Sequence, residues 1–285
     1  MIKPVGSNEL KPLFVYDATE REALAKEAES LPSVVISSQA AGNAVMMGAG
    51  YFSPLKGFMN IGDAMGCAKK MRMSDGHFFP VPVMCLLEDV EAIKDADRIA
   101  LRDPNVDGNP VLAVMDVSTI EEVSDEQMAV MTEKVYRTDD KDHPGVAAFN
   151  SQGRHAVSGP IKVLNFSYFI TDFPDTFVTA VEIRNEIQEH GWNRVVAFQT
   201  RNPMHRAHEE LCHMAMEAVE ADGLVIHMLL GKLKPGDIPA HVRDAAIRKM
   251  AELYFPPNSV MVTGYGFDML YACLLYTSDA ADDLL

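Results

Sequence analysis

The sequence is short of positive charge, has no paired cysteines and carries no long apolar run. Its 25 Lys and Arg face 41 Asp and Glu, a formal net charge of -16. A general nucleic-acid binder needs a basic face, so this balance argues against a nucleic-acid partner. The four cysteines, Cys67, Cys85, Cys212 and Cys273, form no C-x-x-C pair, and reduced thiols are expected. The opening residues MIKPVGSNELKPLF hold no apolar leader core, and no stretch approaches the ~18 apolar residues of a membrane span. A cytoplasmic soluble protein with no membrane partner is therefore expected. Neither G-x-x-x-x-G-K-[ST] nor G-x-G-x-x-G occurs. Any nucleotide must be held by something other than a Walker loop or a dinucleotide fingerprint. No internal repeat or low-complexity segment is visible.

What remains is an ordinary globular composition, 48% hydrophobic and 23% charged, over 285 residues. That length suits two domains better than one core. The acid is unevenly spread. Residues 195–250 hold seven Lys or Arg and seven Asp or Glu, whereas residues 1–194 carry a net charge of -11. A neutral segment inside an acidic chain suits an anionic substrate.

Read in order, Thr19–Leu31 is rich in helix formers and Val34–Ile36 suits a short strand. The glycines and proline between Ala40 and Met59 predict turns and close backbone contacts, with a short helix starting at Ser53-Pro54. A helix follows over Ile61–Met73. From Phe79 to Asp116 short β-type runs alternate with turn residues, which implies a small β-rich unit. Glu126–Arg137 reads as helix, Thr138–Val146 as a polar loop, and the run beginning at Gly159-Pro160 as a strand. After Phe166 helices and strands alternate: helix Thr176–His190, strand Val195–Phe198, helix Pro203–Ala221, strand Leu224–Leu230, helix Ile238–Tyr254 and strand Val260–Thr263. That rhythm implies a parallel sheet with helices on its faces.

The chemistry concentrates in Val195–Glu209, VVAFQTRNPMHRAHE. An apolar strand runs into a polar turn, Gln199 to Asn202. Asn202 before Pro203 reads as N-cap and first helical residue. Ligands of open α/β sheets bind at the carboxyl ends of strands, and a helix N-terminus favours anions. Arg201 can grip an oxyanion bidentately, while Gln199 and Thr200 can donate hydrogen bonds. His205 and His208, three apart, lie on one side of the helix. The apolar stripe falls at Met204, Ala207, Leu211, Met214 or Ala215, and Ala218, with both histidines at its edge. A structural helical histidine is the bland alternative. A zinc site from His205, His208 and Cys212 lacks a fourth ligand and the Glu of H-E-x-x-H. Donors at a phosphate centre suit nucleotidyl transfer, because attack on an α-phosphorus adds negative charge to its oxygens. An anionic substrate then needs no enzymic nucleophile. A second polar patch, His227 to Asp237, carries Lys232 and Lys234, with Arg243 on the next helix.

Gln199 to Glu209 resembles the Gln-Thr-Arg-Asn-Pro-x-His-x-x-His signature of the ATP sulfurylase (sulfate adenylyltransferase) family. Phe52–Met59, Asp142-His143-Pro144-Gly145 and Lys234-Pro235-Gly236-Asp237 agree with it, and the resemblance covers residues 1–272. It implies a β-rich PUA-like domain at 1–168, followed at 169–272 by the N-terminal part of an α/β, Rossmann-like nucleotidyltransferase catalytic domain with a parallel sheet. The implied reaction joins ATP, as its Mg2+ complex, and sulfate to give adenosine 5′-phosphosulfate and pyrophosphate, reversibly. Gln199 and Arg201 resemble sulfate-binding positions. Thr200, Arg201 and Asn202 resemble the active-site turn. His205 and His208 resemble the pair that contacts the ATP phosphates and stabilises the transition state. All six, Gln199 included, are then nucleotide-binding candidates. No dedicated metal site is implied, and the full-length family member is expected to be a homo-oligomer.

The family continues past Tyr271-Ala272 with Gly-Pro-Arg-Glu and then a Gly-Arg-Asp-His motif. Residues 273–285 carry neither and read as a non-family tail, so an incomplete copy is expected. Two rival readings stay open: another His-x-x-His nucleotidyltransferase with a different acceptor, and a non-catalytic nucleotide- or RNA-binding module.

Overall fold

A computed structural model describes residues 3–4, 7–231 and 237–267. The described residues divide after Tyr168 into two compact units. Lys232 to Gly236 and the tail 273–285 lie outside them, so the Lys-Pro-Gly loop and the expected non-family tail are outside the described residues. No helix among the described residues is long and apolar enough to cross a membrane.

The first unit is built on a mixed sheet. After helix α1 (Ala18–Ala28), capped by Asp17, come strand β1 (Ser33–Val35) and helix α2 (Ser38–Gly48). Strand β2 (Gly57–Phe58), helix α3 (Ile61–Lys70), and strands β3 (Cys85–Leu87), β4 (Arg98–Arg102), β5 (Val111–Asp116) and β6 (Thr119–Glu122) follow. Helices α4 (Asp125–Tyr136) and α5 (Pro144–Asn150) precede the long strand β7 (His155–Val163). The order is β1-β4-β5-β7-β2, with β3 and β6 also on β7. Strand β7 is shared along its length. Its first half pairs β3 and β6, and its second half pairs β5 and β2. Gly159 sits at the changeover with φ +151, where a Cβ would meet the Asp116 carbonyl.

Three expectations fail here. Ser38–Gly48 is helix, not turns. Ser37 caps it, its run of alanines and methionines favours helix, and Ala40 to Gly48 are all buried. Its terminal Gly48 earns its place by closeness, since a Cβ there would meet the Val163 side chain at 2.8 Å. Ser53-Pro54 opens no helix and lies in a turn. The Asp142–Gly145 stretch is not wholly loop either. His143 caps α5 through Nδ1, which accepts from the Val146 N–H at 3.3 Å, and Pro144 takes a first-turn position.

The second unit opens with the short helix α6 (Phe169–Asp172) and then α7 (Ala180–Glu189), capped by Thr179. Gly191 follows with φ +71, the left-handed geometry that ends a helix. Then come β8 (Val195–Thr200), α8 (Arg206–Ala218), β9 (Gly223–Leu229), α9 (Ala240–Tyr254) and β10 (Val260–Tyr265). The strands form a parallel three-stranded sheet among the described residues, in the order β10-β9-β8. Phe177 adds a parallel bridge to Gly264 beside β10. The fold is therefore a β-rich unit on a mixed sheet followed by an α/β unit on a parallel sheet. Central β9 is almost wholly buried, whereas β8 at the end of the order is only half-buried.

Candidate active site at the end of strand β8

All strands of the parallel sheet end on one edge, and the signature residues gather there. The strand runs further than its apolar residues alone imply: Gln199 and Thr200 belong to β8, in register with His227 and Met228 of β9. The turn proper is Arg201-Asn202. Thr200 is buried, and its Oγ1 accepts from the Asn202 N–H and donates to the Asn202 carbonyl, both at 3.0 Å. Its hydroxyl shapes the turn.

The helix starts later than the Asn202-Pro203 pair predicts. Asn202 is held by Thr200, and the N-cap of α8 is His205. Its Nδ1 accepts from the Ala207 N–H at 3.2 Å, while its own N–H donates to Nδ1 of His208 at 3.3 Å. This is a capping box built from two imidazoles, satisfying donors that a helix start otherwise leaves open. Both Nδ1 atoms accept, so each neutral ring carries its proton on Nε2. The rings stand 3.9 Å apart between centroids. His205 is exposed, whereas His208 is buried and lies 5.7 Å from the Phe198 ring.

The expected apolar stripe of α8 is also corrected. Leu211 is 43% and Met214 58% exposed, while His208, Glu209 and Cys212 are buried. The inward face carries His208, Glu209 and Cys212 instead. Placing an imidazole there, beside the turn, is compatible with chemistry and wasteful for a core.

Arg201 is mostly buried, and its Nη1 lies 3.8 Å from Oδ1 of Asp237. Beneath it is Arg243, fully buried in α9, whose Nη1 donates at 2.9 Å to the carbonyls of both Arg201 and Leu229. Burial pulls the Arg243 guanidinium below its ordinary pKa, and the nearby Asp237 carboxylate opposes that shift. Two guanidiniums against one carboxylate leave net positive charge at the strand ends, as an anion site requires. On the other side, Gln199 Nε2 donates to the Tyr265 hydroxyl at 2.8 Å. Tyr265 stacks on His227 at 4.5 Å, and His227 Nδ1 lies 2.6 Å from Thr263 Oγ1.

The structure thus brings Gln199, Thr200, Arg201, Asn202, His205 and His208 together. Of the second patch it adds His227 and Asp237. It also adds Tyr265, which the sequence does not announce, because only the strand register aligns β10 with β8. No group of three or more His, Cys, Asp or Glu among the described residues is placed to hold a metal ion.

Comparison with known proteins fits this geometry. Residues 2–166 match the PUA-like domain model, and residues 174–275 match the ATP-sulfurylase model. The chain is 76% identical over 272 residues to the sulfate adenylyltransferase of Allochromatium vinosum, covering 95% of this chain and 68% of that one. The sulfate adenylyltransferase of the Riftia pachyptila sulfur-oxidizing endosymbiont is also 76% identical, and the chain spans 62% of it. That of Alcanivorax borkumensis is 65% identical, with 68% spanned. Among solved structures, the hexameric APS kinase from Thiobacillus denitrificans superposes with a TM-score of 0.69 at 25% identity, over 94% of this chain and 47% of that one.

Proposed function

The chain belongs to the sulfate adenylyltransferase family of nucleotidyltransferases, and from that premise we propose that it transfers the adenylyl group of ATP to sulfate, giving adenosine 5′-phosphosulfate and pyrophosphate. Sulfate attacks the α-phosphorus directly, and the Pα–O bond to pyrophosphate breaks. ATP enters as its Mg2+ complex, with the metal carried in by the substrate. The same site runs the reverse reaction.

The observation that carries this reading is the imidazole pair at the start of α8. With Nδ1 committed to the helix cap, His205 and His208 have Nε2–H donors for phosphate oxygens. Attack on the α-phosphorus adds charge to those oxygens, so the donors bind the transition state more tightly than ATP itself. Gln199 and Arg201 take sulfate. Thr200 and Asn202 hold the turn, and the six residues together contact the nucleotide. Residues 1–168 are taken as the PUA-like domain and 169–272 as the catalytic part, and the match to the family model itself ends at residue 275. A homo-oligomer is the natural assembly, by analogy with the hexameric neighbour.

The test is acceptor choice. Pyrophosphate release from MgATP is measured with sulfate and with other oxyanions, beside calorimetric titrations with MgATP and with RNA. Release that depends on sulfate, with no heat from RNA, supports the reading. Release with a different acceptor alone, or RNA binding without ATP binding, overturns it.

A further inference from the structure

The carboxamide of Gln199 is held from behind by a residue two strands away. Gln199, His227 and Thr263 form one row across β8, β9 and β10. Tyr265, two residues beyond Thr263, projects from the same face, because side chains alternate along a strand. Its ring lies flat on His227, at 19° between planes, and that length of side chain carries its hydroxyl over β9 to Gln199. His227 is itself fixed by Thr263. Tyr265 is 5% exposed. A phenylalanine would fill the same space, so the hydroxyl is needed only where something must be hydrogen-bonded.

We propose that Tyr265 is a positioning residue for sulfate, its hydroxyl engaging one N–H of the Gln199 carboxamide so that the other N–H faces the anion. The proposal rests on the reading of Gln199 as a sulfate-binding position. An amide carries two donors. With one committed to Tyr265, the plane of the amide is set and a long, flexible side chain loses its freedom before sulfate arrives. Preorganisation of that kind strengthens binding without a new contact to the ligand. Nothing in the arrangement touches the α-phosphorus, so the effect belongs to sulfate binding and not to the chemical step.

The full chain is compared with Tyr265→Phe, Gln199→Ala and the double variant. In Y265F the KM for sulfate should rise about fivefold, the usual scale of one lost hydrogen bond, with kcat and the KM for MgATP within about twofold. In the Gln199→Ala background the same substitution should add nothing, because the two residues act as a unit. The Gln199 amide resonance, identified by its loss in Q199A, should move in Y265F, a reading that needs no turnover. An unchanged sulfate KM, an unmoved amide resonance or additive effects in the double variant would each overturn the proposal. If the wild-type chain makes no adenosine 5′-phosphosulfate, the reading of Gln199 fails first and the Tyr265 proposal falls with it. That outcome is visible before any variant is made.

Discussion

Arg243 reaches under the site turn and donates 2.9 Å hydrogen bonds from one nitrogen to the backbone carbonyls of Arg201 and Leu229. It ties the end of β8 to the end of β9 from a fully buried position. Among buried residues a cation is rare unless paired, and here its partners are two carbonyls and the field of Asp237. Charge-assisted hydrogen bonds are worth ~1.5–3 kcal/mol each. Arg243→Met should therefore lower unfolding free energy by ~3 kcal/mol and abolish activity, as read by denaturant titration and pyrophosphate release. Arg243→Lys keeps the charge and one bond, and should recover part of both. Wild-type stability in R243M would remove Arg243 from the account.

His205 is the helix cap of α8 and, in the proposed reaction, a phosphate donor, and the two roles can be separated. Asn caps nearly as well as any residue, so His205→Asn should leave stability within ~0.5 kcal/mol. It has no imidazole Nε2–H, and loss of one such donor costs ~100-fold in kcat. His205→Ala loses the cap as well, at a further ~1 kcal/mol in stability. Thermal unfolding and initial rates on the two variants make the comparison. An H205N variant with full activity would reduce His205 to a cap.

Burial pushes the His227 imidazole down to about 4 from its ordinary 6.5. The folded chain then resists a proton that the unfolded chain accepts. The contribution is fully present above pH 6.5, is lost as pH falls from 6.5 towards 4, and levels off below that. The loss amounts to about 3 kcal/mol at most. Unfolding free energy measured across that window should fall with pH, and His227→Gln should flatten this part of the curve. An unchanged slope in H227Q would contradict the assignment.

The thiols of Cys67, Cys85 and Cys212 are buried and pushed up to about 12. Thiolate is the reactive form, so none of the three should react with a thiol reagent at pH 8 until the chain unfolds. Peptide mapping after labelling, with and without denaturant, reads this out. Rapid labelling of Cys212 in the folded chain would contradict its place on the inner face of α8.

Much of the second unit was legible because strands and helices of ordinary length alternate there, and each periodic run became an element. The site turn was legible for the same reason, since β8 delivers Gln199 to the sheet edge. Other features were hidden by local rules that tertiary contacts override. The glycines of Ser38–Gly48 look like turn residues until Gly48 is seen against Val163. Asn202-Pro203 has the composition of a helix start, but the Thr200 hydroxyl holds Asn202 in the turn and the cap passes to His205. Periodicity located an apolar stripe on α8 and could not show that the stripe faces outward at Leu211 and Met214. Tyr265 and Gln199 are 66 residues apart and meet only once β10, β9 and β8 are in register.

The central claim is direct transfer to sulfate with no adenylyl-enzyme on the way, and exchange of labelled pyrophosphate into ATP tests it most directly. The account predicts exchange only when sulfate is present, with adenosine 5′-phosphosulfate, unlabelled because it keeps only the α-phosphate, as the accompanying product, and no exchange in His208→Ala. Exchange in the complete absence of sulfate would mean that a group on the protein accepts the adenylyl moiety, and would contradict the account.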